Sequence, residues 1–333
     1  MIDFRSDTVT RPTTAMRNAM QEALLGDDVF GDDPSVNHLQ SYLAERLGFE
    51  AGLFVCSGTQ SNLIALMTHC QRGDEYIVGQ DAHTYKYEAG GAAVLGSIQP
   101  QPLEHAPDGS IPLEKMQAAV KPRDVHFARS KLLALENTIG GKILDQSYVI
   151  NACALAKKSG LATHLDGARF FNAAQEAQCT ERELLNPFDS VSICLSKGLG
   201  APVGSVLLGD QDFIEEAKRW RKMLGGGMRQ AGVLAAAGLY ALQHHVERLK
   251  EDHRNAKLLY EGIKDLSWLN AQAPMTNMVF VDIHKESAQK FCHYLESHGV
   301  QVTGLYRLRF VTHLDINESQ IMKTIDIIRG FKD

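Results

Sequence analysis

The sequence lacks the features that mark membrane-spanning, disulfide-bonded and nucleic-acid-binding proteins. Its longest uncharged apolar stretch runs from Ala231 to Leu242, well short of the roughly 20 residues that span a bilayer. The six cysteines lie far apart and form no Cys-x-x-Cys pair, so the sequence indicates neither a zinc site nor a disulfide framework. Lys and Arg number 34 against 40 Asp and Glu and do not cluster, so we expect no nucleic-acid partner.

What remains is the composition of a globular protein. The 333 residues are 44% hydrophobic and carry a formal net charge of −6, and at roughly 150 residues per domain they predict two domains. We expect residues 1–245 to form a large domain and residues 246–333 a small C-terminal α+β domain. The start of the sequence, with Asp3, Arg5 and Asp7, does not resemble an export signal, so we expect a cytoplasmic protein without a membrane partner.

Short β-branched apolar runs alternate with segments of helical period between about residues 50 and 210. The alternation predicts an α/β fold in which a mainly parallel sheet is flanked by helices. The runs that we interpret as strands are residues 52–56, 75–79, 131–136, 161–166, 190–196 and 204–209. Beyond them we expect one long helix to about residue 266, and then a C-terminal unit with strands at 276–283 and 309–315.

Lys197 follows one of these strands and is trailed by glycines, in the segment CLSKGLGAPVGS (194–205). Ligands bind at the carboxyl edge of open α/β sheets, and a partly desolvated lysine can attack a carbonyl as the neutral amine. The segment therefore suits a lysine that forms a Schiff base. A solvated lysine at the start of a surface turn would give the same local pattern.

Two further segments suit a ligand that would form a Schiff base with Lys197. Asp166 ends the strand that lies one crossover unit before Lys197, so both side chains should emerge at one edge of the sheet. Pyridoxal phosphate needs this pair, a lysine for its aldehyde and a carboxylate that keeps its ring nitrogen protonated. Gly58 and Thr59, in CSGTQSN (56–62), open a helix whose backbone amides suit a phosphate monoester. Taken singly, each segment is also typical of an ordinary turn or helix cap.

The order of phosphate loop, aspartate and lysine on successive strands resembles fold type I of the pyridoxal-phosphate (PLP) enzymes. Strings spread from residue 3 to residue 315 also resemble the threonine aldolase family, specifically its low-specificity L-threonine branch. They are DFRSDTVTRPT, GDDVFGDDPSVNHLQ, SGTQSN, AHTYKYEAGG, LENT, LDGAR, SICLSKGLGAPVGS, RKMLGGGMRQAG and RFVTHLD. The resemblance covers essentially the whole chain. It implies a fold type I PLP-dependent transferase-like fold and pyridoxal 5'-phosphate as cofactor.

The resemblance also implies roles for individual residues. Lys197 would bind the cofactor covalently, Asp166 would pair with its ring nitrogen, and His83 would stack on its ring. The other cofactor ligands would be Gly58, Thr59 and Arg169, with Lys222 or Arg229 from a neighbouring subunit. The substrate would be bound by Ser6, Arg169, Arg309 and Tyr87, with His126 near its β-hydroxyl. A site shared in this way requires a homo-oligomer, for which we favour a tetramer, and no metal ligand is implied.

These roles imply a lyase that cleaves L-threonine or L-allo-threonine to glycine and acetaldehyde, in threonine catabolism and glycine formation. His126 would take the β-hydroxyl proton, directly or through water. A β-eliminating lyase or an aminotransferase of the same fold stays open, because the cofactor residues alone do not select which bond at Cα breaks. A non-catalytic regulator would need a separate basic recognition domain, which we do not expect.

One segment departs from the resemblance. Many relatives read Glu-Asn-Thr-His-Asn-Gly where this sequence reads ENTIGG, with Ile139 in place of the histidine. Glu136 and Asn137 are kept, so the cofactor residues are unaffected. The change to Ile139 could alter the preference for bulky β-substituents or for one diastereomer.

Overall fold

The computed structural model describes residues 1–332, which form twelve β-strands and fourteen α-helices. The strands are β1 (Ile2–Asp3), β2 (Ala51–Val55), β3 (Asp74–Gly79), β4 (Gln99–Leu103), β5 (Arg129–Glu136), β6 (Ala162–Gly167), β7 (Ser190–Cys194), β8 (Ser205–Gly209), β9 (Leu269–Ala271), β10 (Met278–Ile283), β11 (Val300–Gln301) and β12 (Arg307–Val311). The helices are α1 (Thr14–Gln21), α2 (Pro34–Leu47), α3 (Gly58–His69), α4 (His83–Lys86), α5 (Gly91–Val94), α6 (Leu113–Ala119), α7 (Gln146–Lys158), α8 (Phe170–Glu176), α9 (Glu181–Leu185), α10 (Gln211–Met223), α11 (Gly232–His244), α12 (Leu249–Ile263), α13 (Lys285–Ser297) and α14 (Glu318–Gly330).

Seven strands form the central sheet, in the order β2-β8-β7-β6-β5-β3-β4. From β7 to β4 the neighbours pair in parallel, whereas β8 pairs antiparallel with both β2 and β7. Every residue of β3 and β7 is buried, as expected for strands that helices cover on both faces. The carboxyl ends of β5, β6 and β7 therefore lie side by side at one edge of the sheet.

The C-terminal unit has its own sheet and its own apolar core. Strands β9, β10 and β12 pair antiparallel, and their core contains the fully buried Phe291 and Phe310. The first residues of the chain belong to this core as well. Strand β1 pairs with β11, and Phe4 packs edge-on against Phe310 with ring centroids 5.6 Å apart. Residues 1–245 thus do not all pack in one unit, and the division at residue 245 stays a prediction.

The predicted strands of the central sheet differ from the observed ones by one or two residues at their ends, but strand β4 was missed. Its sequence, QPQPL, contains two prolines, which cannot donate to a ladder. The structure places β4 at the edge of the sheet, where it has one neighbour, β3. An edge strand tolerates proline because one of its sides needs no hydrogen-bond partner in the sheet.

The long helix predicted to residue 266 is in fact two helices, α11 and α12. The chain leaves the helical path at His245, whose Nδ1 lies 2.7 Å from the carbonyl oxygen of Leu199. Helix α12 then runs from the large core, where Leu249 is buried, into the C-terminal core, where Leu259 is buried. The break therefore redirects the chain from one core to the other. Within residues 1–332, no helix is both long and apolar enough to cross a membrane.

Candidate functional site

The predicted lysine, Lys197, and the predicted aspartate, Asp166, both lie at the carboxyl edge of the central sheet. Asp166 and Glu136 are register partners on β6 and β5, and Lys197 comes three residues after the end of β7. A turn closed by the Gly200 N–H, which donates to the Lys197 carbonyl at 2.8 Å, holds the lysine at this edge. Gly200 has a φ of +80°, a conformation that favours glycine at this position.

Asp166 is almost fully buried and both of its oxygens accept hydrogen bonds. Oδ1 accepts from the backbone N–H of Ala168 at 3.0 Å, and Oδ2 accepts from Nδ2 of Asn62 at 2.8 Å. These bonds fix the carboxylate in one orientation and compensate for its removal from water.

Lys197 is partly exposed and its Nζ makes no hydrogen bond or ion pair within residues 1–332. It lies near both Asp7 and Glu136. Its charge contributes to the lowered pKa of Asp7 and opposes the rise in the pKa of Glu136 that burial causes. An amine at a sheet edge without a bonded partner is available to react with an aldehyde.

His83 begins α4 and is held by two carboxylates. Its backbone N–H donates to Glu136 Oε2 at 2.7 Å, and its Nδ1 lies 2.8 Å from Glu88 Oε1. The hydrogen bond to Glu88 raises the pKa of His83. Burial raises the pKa of Glu136 to about 8, and the neighbouring Asp166 carboxylate adds to the effect. Two groups therefore lie beside Asp166 at this edge. They are the imidazole of His83 and the carboxyl group of Glu136, which keeps its proton to unusually high pH.

Arg169 is locked by a buried ion pair with Asp7. Its Nε and Nη2 donate to the two Asp7 oxygens at 2.8 and 2.6 Å, a bidentate contact. Burial alone would raise the pKa of Asp7, but the Arg169 guanidinium outweighs it and lowers that pKa to about 2. Asp7 therefore stays ionised and fixes the plane of the Arg169 guanidinium at the carboxyl edge of the sheet.

Arg309 reaches the same region from β12. Its Nη2 donates to the carbonyl oxygen of Arg5 at 3.0 Å, while its Nε is buried and has no hydrogen-bond partner among residues 1–332. Burial and the nearby charge of Arg169 lower the pKa of Arg309. Two guanidinium groups close together, one with an unpaired donor, are suited to bind a carboxylate.

Ser6 and Tyr87 complete this surface. The Ser6 hydroxyl caps a 3-10 turn, accepting from the Thr8 N–H at 3.2 Å. Tyr87 is exposed, and its ring centroid lies 5.8 Å from that of His83. Tyr87 is also near enough to Arg309 to affect its pKa, so its ring lies close to both the His83 imidazole and the Arg309 guanidinium.

Helix α3 follows β2 and begins at the same edge of the sheet, with the predicted phosphate residues in its first turn. Ser57 caps the helix by accepting from the Gln60 N–H at 3.1 Å, and Gly58 and Thr59 form its first turn. The hydroxyl of Ser205 is buried without a partner within residues 1–332, and it lies 3.6 Å from the position that a Gly58 Cβ would take. A helix N-terminus beside an unsatisfied hydroxyl fits an anion with several oxygens.

Comparisons with known proteins identify the family. The beta-eliminating lyase family matches residues 3–286. The low-specificity L-threonine aldolase of Escherichia coli is 52% identical over 99% of each chain. The chain belongs to the threonine aldolase family. The probable low-specificity L-threonine aldolase 2 of Arabidopsis thaliana is 44% identical over 96% of this chain and 94% of its own.

Solved structures confirm the fold. The threonine aldolase of Leishmania major superposes with a TM-score of 0.83 at 20% identity, covering 99% of both chains. A putative L-allo-threonine aldolase of Listeria monocytogenes gives a TM-score of 0.82 at 21% identity, covering 98% of this chain and 95% of its own. The predicted family and the fold type I architecture, with a mainly parallel sheet flanked by helices, are both confirmed, and so is the prediction of a lyase.

Three of the residues that the threonine aldolase resemblance singled out have no hydrogen bond or ion pair with the residues of this edge within residues 1–332. His126 is exposed in the loop before β5, at the amino edge of the sheet, and its Nδ1 lies 2.6 Å from Asp124 Oδ1. An eight-residue strand separates that edge from Glu136, roughly 23 Å along the strand direction. A role for His126 in catalysis therefore requires that another subunit supply it.

The other two are Lys222 and Arg229. Arg229 forms an ion pair with Asp27 at 3.0 Å, and Lys222 lies over the backbone of Gly227. Neither has a hydrogen bond or ion pair with the first turn of α3 within residues 1–332. Their assignment to a neighbouring subunit's site stays a prediction.

The surroundings of Ile139 indicate a role in packing and not in substrate binding. Its side chain is 8% exposed and belongs to the large apolar core, where Cγ2 packs on the Cα side of Gly109. Its backbone pairs with Lys142, through two hydrogen bonds of 3.0 Å. The residue that replaces the histidine of other threonine aldolases is thus a packing residue in this chain.

Four residues at the edge were not singled out from the sequence: Asp7, Asn62, Glu88 and Glu136. Asp7 stands beside Ser6 in a segment already quoted for the resemblance, and Glu136 ends a predicted strand, so both carried a local signal. Asn62 and Glu88 also lie in quoted segments, SGTQSN and AHTYKYEAGG, but the contact that joins them links residues 26 positions apart, which no local pattern predicts.

Proposed function

We propose that this chain cleaves L-threonine and L-allo-threonine, and related L-β-hydroxy-α-amino acids, to glycine and an aldehyde with pyridoxal 5'-phosphate as cofactor. The observation that carries the proposal is the carboxyl edge itself, where Asp166 ends β6, Lys197 lies near Asp7, and Asp7 bonds Arg169 beside Arg309. Membership of the threonine aldolase family supports the choice of reaction.

The residues present fit the cofactor. Lys197 has a free Nζ for the aldehyde, Asp166 is a buried carboxylate for the ring nitrogen, and the first turn of α3 with the unpartnered Ser205 hydroxyl suits the phosphate. His83 is held beside Asp166 and would contact the ring, with Arg169 near the phenolic oxygen. When bound, the cofactor supplies an electron sink for the pair of electrons left at Cα as the Cα–Cβ bond breaks.

The substrate carboxylate is assigned to Ser6, Arg169 and Arg309. Asp7 keeps Arg169 in place, and the unpaired Nε of Arg309 can donate directly to a carboxylate oxygen. By holding the carboxylate from one side, these residues would fix the orientation of the substrate at Cα and so favour cleavage of the Cα–Cβ bond over the other bonds. Tyr87, exposed at the same surface, would contact the β-substituent and influence the choice of diastereomer.

The positions of the remaining residues support completion of the site by a second subunit. Lys222 and Arg229 would support the phosphate, and His126 would serve the β-hydroxyl, from neighbouring copies of the chain. We therefore favour a homo-oligomer, and among oligomers a tetramer. We also propose a large domain of residues 1–245, apart from the first residues that pack in the C-terminal core, and a small domain of residues 246–333. A cytoplasmic location and a role in threonine catabolism and glycine formation complete the proposal.

The deciding experiment is a product analysis with each diastereomer. Purified protein with the cofactor should convert L-threonine and L-allo-threonine to equimolar glycine and acetaldehyde. The match to the beta-eliminating lyase family favours one alternative, β-elimination, which would give a keto acid and ammonia instead. No aldehyde from either substrate would contradict the proposal.

Lys197→Ala tests the assignment of the lysine. Because Lys197 carries the cofactor, the variant should lose the visible absorbance of the lysine-bound cofactor and at least about 10⁴-fold in turnover. Lys218→Ala, on exposed helix surface, is the matched control and should behave as wild type. A yellow, active Lys197→Ala protein would overturn the assignment.

A further inference from the structure

The side chain of Asn62 lies between two buried carboxylates. It projects from the second turn of α3 and is 1% exposed. Its Nδ2 donates to Asp166 Oδ2 at 2.8 Å and to Glu88 Oε1 at 2.9 Å. Both hydrogens of the amide nitrogen are therefore used, one on each carboxylate.

Glu88 extends this contact to the imidazole of His83. The same Oε1 that accepts from Asn62 lies 2.8 Å from His83 Nδ1. One oxygen or nitrogen from each of His83, Glu88 and Asp166 lies within 4.8 Å of the other two. Such a cluster is also spaced as metal ligands are, but the donors of Asn62 and His83 already account for it by hydrogen bonds. Asn62 thus links Asp166 to His83 through a single carboxylate oxygen.

The electrostatics of the cluster depend on the Asn62 donors. Burial, with a contribution from the charge of Asp166, raises the pKa of Glu88, and the hydrogen bond from His83 opposes this rise. Two carboxylates this close repel each other unless a positive or donor group lies between them. The amide N–H groups of Asn62 lie in that place.

The orientation of the Asn62 amide is set from behind by a buried histidine. His164 Nε2 lies 3.3 Å from Asn62 Oδ1, and His164 Nδ1 lies 2.8 Å from Ser190 Oγ. Burial lowers the pKa of His164 to about 3, so the ring is neutral with one N–H. Since Asn62 Oδ1 can only accept, the network assigns that proton to Nε2 and makes Ser190 the donor to Nδ1. Ser190 in turn lies 2.7 Å from Nε2 of His69, at the end of α3.

We propose that Asn62 is a positioning residue for the cofactor, which fixes Asp166 and His83 relative to each other, and that His164 holds its amide with the donors facing the two carboxylates. The inference rests on the proposed binding of pyridoxal phosphate at this edge. Asn62 itself acts through Asp166 and Glu88 and has no contact of its own with the reacting atoms. If the amide were inverted, its oxygen would face two carboxylates and both would lose a donor.

Asn62→Asp is the sharpest change, because it keeps the shape and replaces the donors with a third carboxylate. Thr68→Ala is the control on the same helix. The Thr68 hydroxyl donates to the carbonyl oxygen of Ile64 at 2.8 Å within α3, and Thr68 lies two turns beyond the first turn of the helix. The Kd for pyridoxal phosphate is measured by titrating each cofactor-free protein, and kcat and KM for L-threonine are measured in excess cofactor.

We expect Asn62→Asp to weaken cofactor binding by roughly 10-fold or more and to lower kcat by about 100-fold with little change in KM. The absorbance spectrum of the bound cofactor should also change. Thr68→Ala should alter the Kd by less than about twofold, even if it lowers stability. An Asn62→Asp protein whose Kd, spectrum and kcat all match wild type would overturn the proposal.

His164 offers a second pair of variants that does not depend on the folding of Asn62→Asp. In His164→Gln the amide nitrogen takes the place of Nε2 and can still donate to Asn62, whereas His164→Leu cannot. We expect His164→Leu to reproduce part of the Asn62→Asp defect and His164→Gln to restore it. Equal cofactor affinity and kcat in the two variants would show that His164 does not orient the amide.

The two proposals fail in different ways. If the wild-type protein binds pyridoxal phosphate but releases no aldehyde, the proposed reaction is wrong, and the Kd and spectral comparison still decides the role of Asn62. If aldehyde is formed and Asn62→Asp behaves as wild type, the reaction stands and the positioning role is wrong.

Discussion

His83 and His126 lie at opposite ends of β5 and are held in opposite ways. His83 is partly buried and bonds Glu136, 53 positions away, and Glu88, which in turn accepts from Asn62 on α3. His126 is exposed and bonds Asp124, two residues before it, in a loop that also exposes the side chain of Val125 almost completely. Contacts between distant segments build the carboxyl edge into a site, whereas the local contacts of the amino edge leave a surface that another subunit could use.

The ion pairs at the two edges show the same contrast, and Asp7→Asn tests it with the largest expected effect on stability. Asp7 is fully buried, so its neutralisation would leave the Arg169 charge buried without its bidentate partner. We expect the free energy of unfolding to fall by about 3–5 kcal/mol. Urea denaturation of the cofactor-free protein measures this change.

Asp124→Asn is the counterpart at the amino edge. The Asp124–His126 contact is solvent-exposed, so the substitution should leave the denaturation midpoint unchanged. If both substitutions have the same small effect, the distinction between the edges does not hold for stability.

His126 provides the test of whether the two edges meet between subunits. We expect His126→Ala to lower kcat by roughly 100-fold, as loss of a proton-transfer residue does. Mixing His126→Ala protein with Lys197→Ala protein, under conditions that exchange subunits, should then give more activity than the sum of the two parents. In the mixed oligomer, Lys197 of one subunit can work with His126 of the other.

A histidine that served its own chain would give the opposite result. The mixed oligomer would then contain no subunit with both residues, and activity would not rise on mixing. The exchange itself is checked by the appearance of a hybrid species in native mass spectrometry.

The parts of the site that local sequence predicts are those fixed by strand register. Lys197 and Asp166 each follow an apolar run, and parallel pairing of β6 with β7 brings them to one edge without any knowledge of side-chain contacts. Asp7 and Arg169 are 162 positions apart, and Asn62 and Asp166 are 104 apart. Those pairings depend on how α3 and the N-terminal segment dock on the sheet, which periodicity does not describe.

The pH dependence of stability probes the carboxyl edge through Glu136. Its pKa is about 8 in the folded protein, against 4.5 as its ordinary value, so folding favours the protonated form. Its contribution to stability is full below the ordinary pKa and is lost as the pH rises through about 8. Glu136→Gln, which can still accept from the His83 N–H, should therefore lose less stability than wild type between pH 5 and pH 8.

The measurement is the Tm of the cofactor-free protein at both pH values. Each kcal/mol corresponds to on the order of 2–4 °C, so a difference of a few degrees between the two proteins is expected. Parallel curves for the two proteins would mean that Glu136 is ionised at neutral pH.

The smallest expected effect concerns Ile139, where a substitution tests whether the side chain serves packing or substrate specificity. Because the side chain is buried against Gly109, Ile139→Val removes one methylene from the core and should lower the free energy of unfolding by about 0.5–1.5 kcal/mol. The ratio of kcat/KM for L-threonine to that for L-allo-threonine should stay as in wild type. A severalfold change in that ratio would show that Ile139 reaches the substrate, and the difference from the histidine of other threonine aldolases would then be one of specificity.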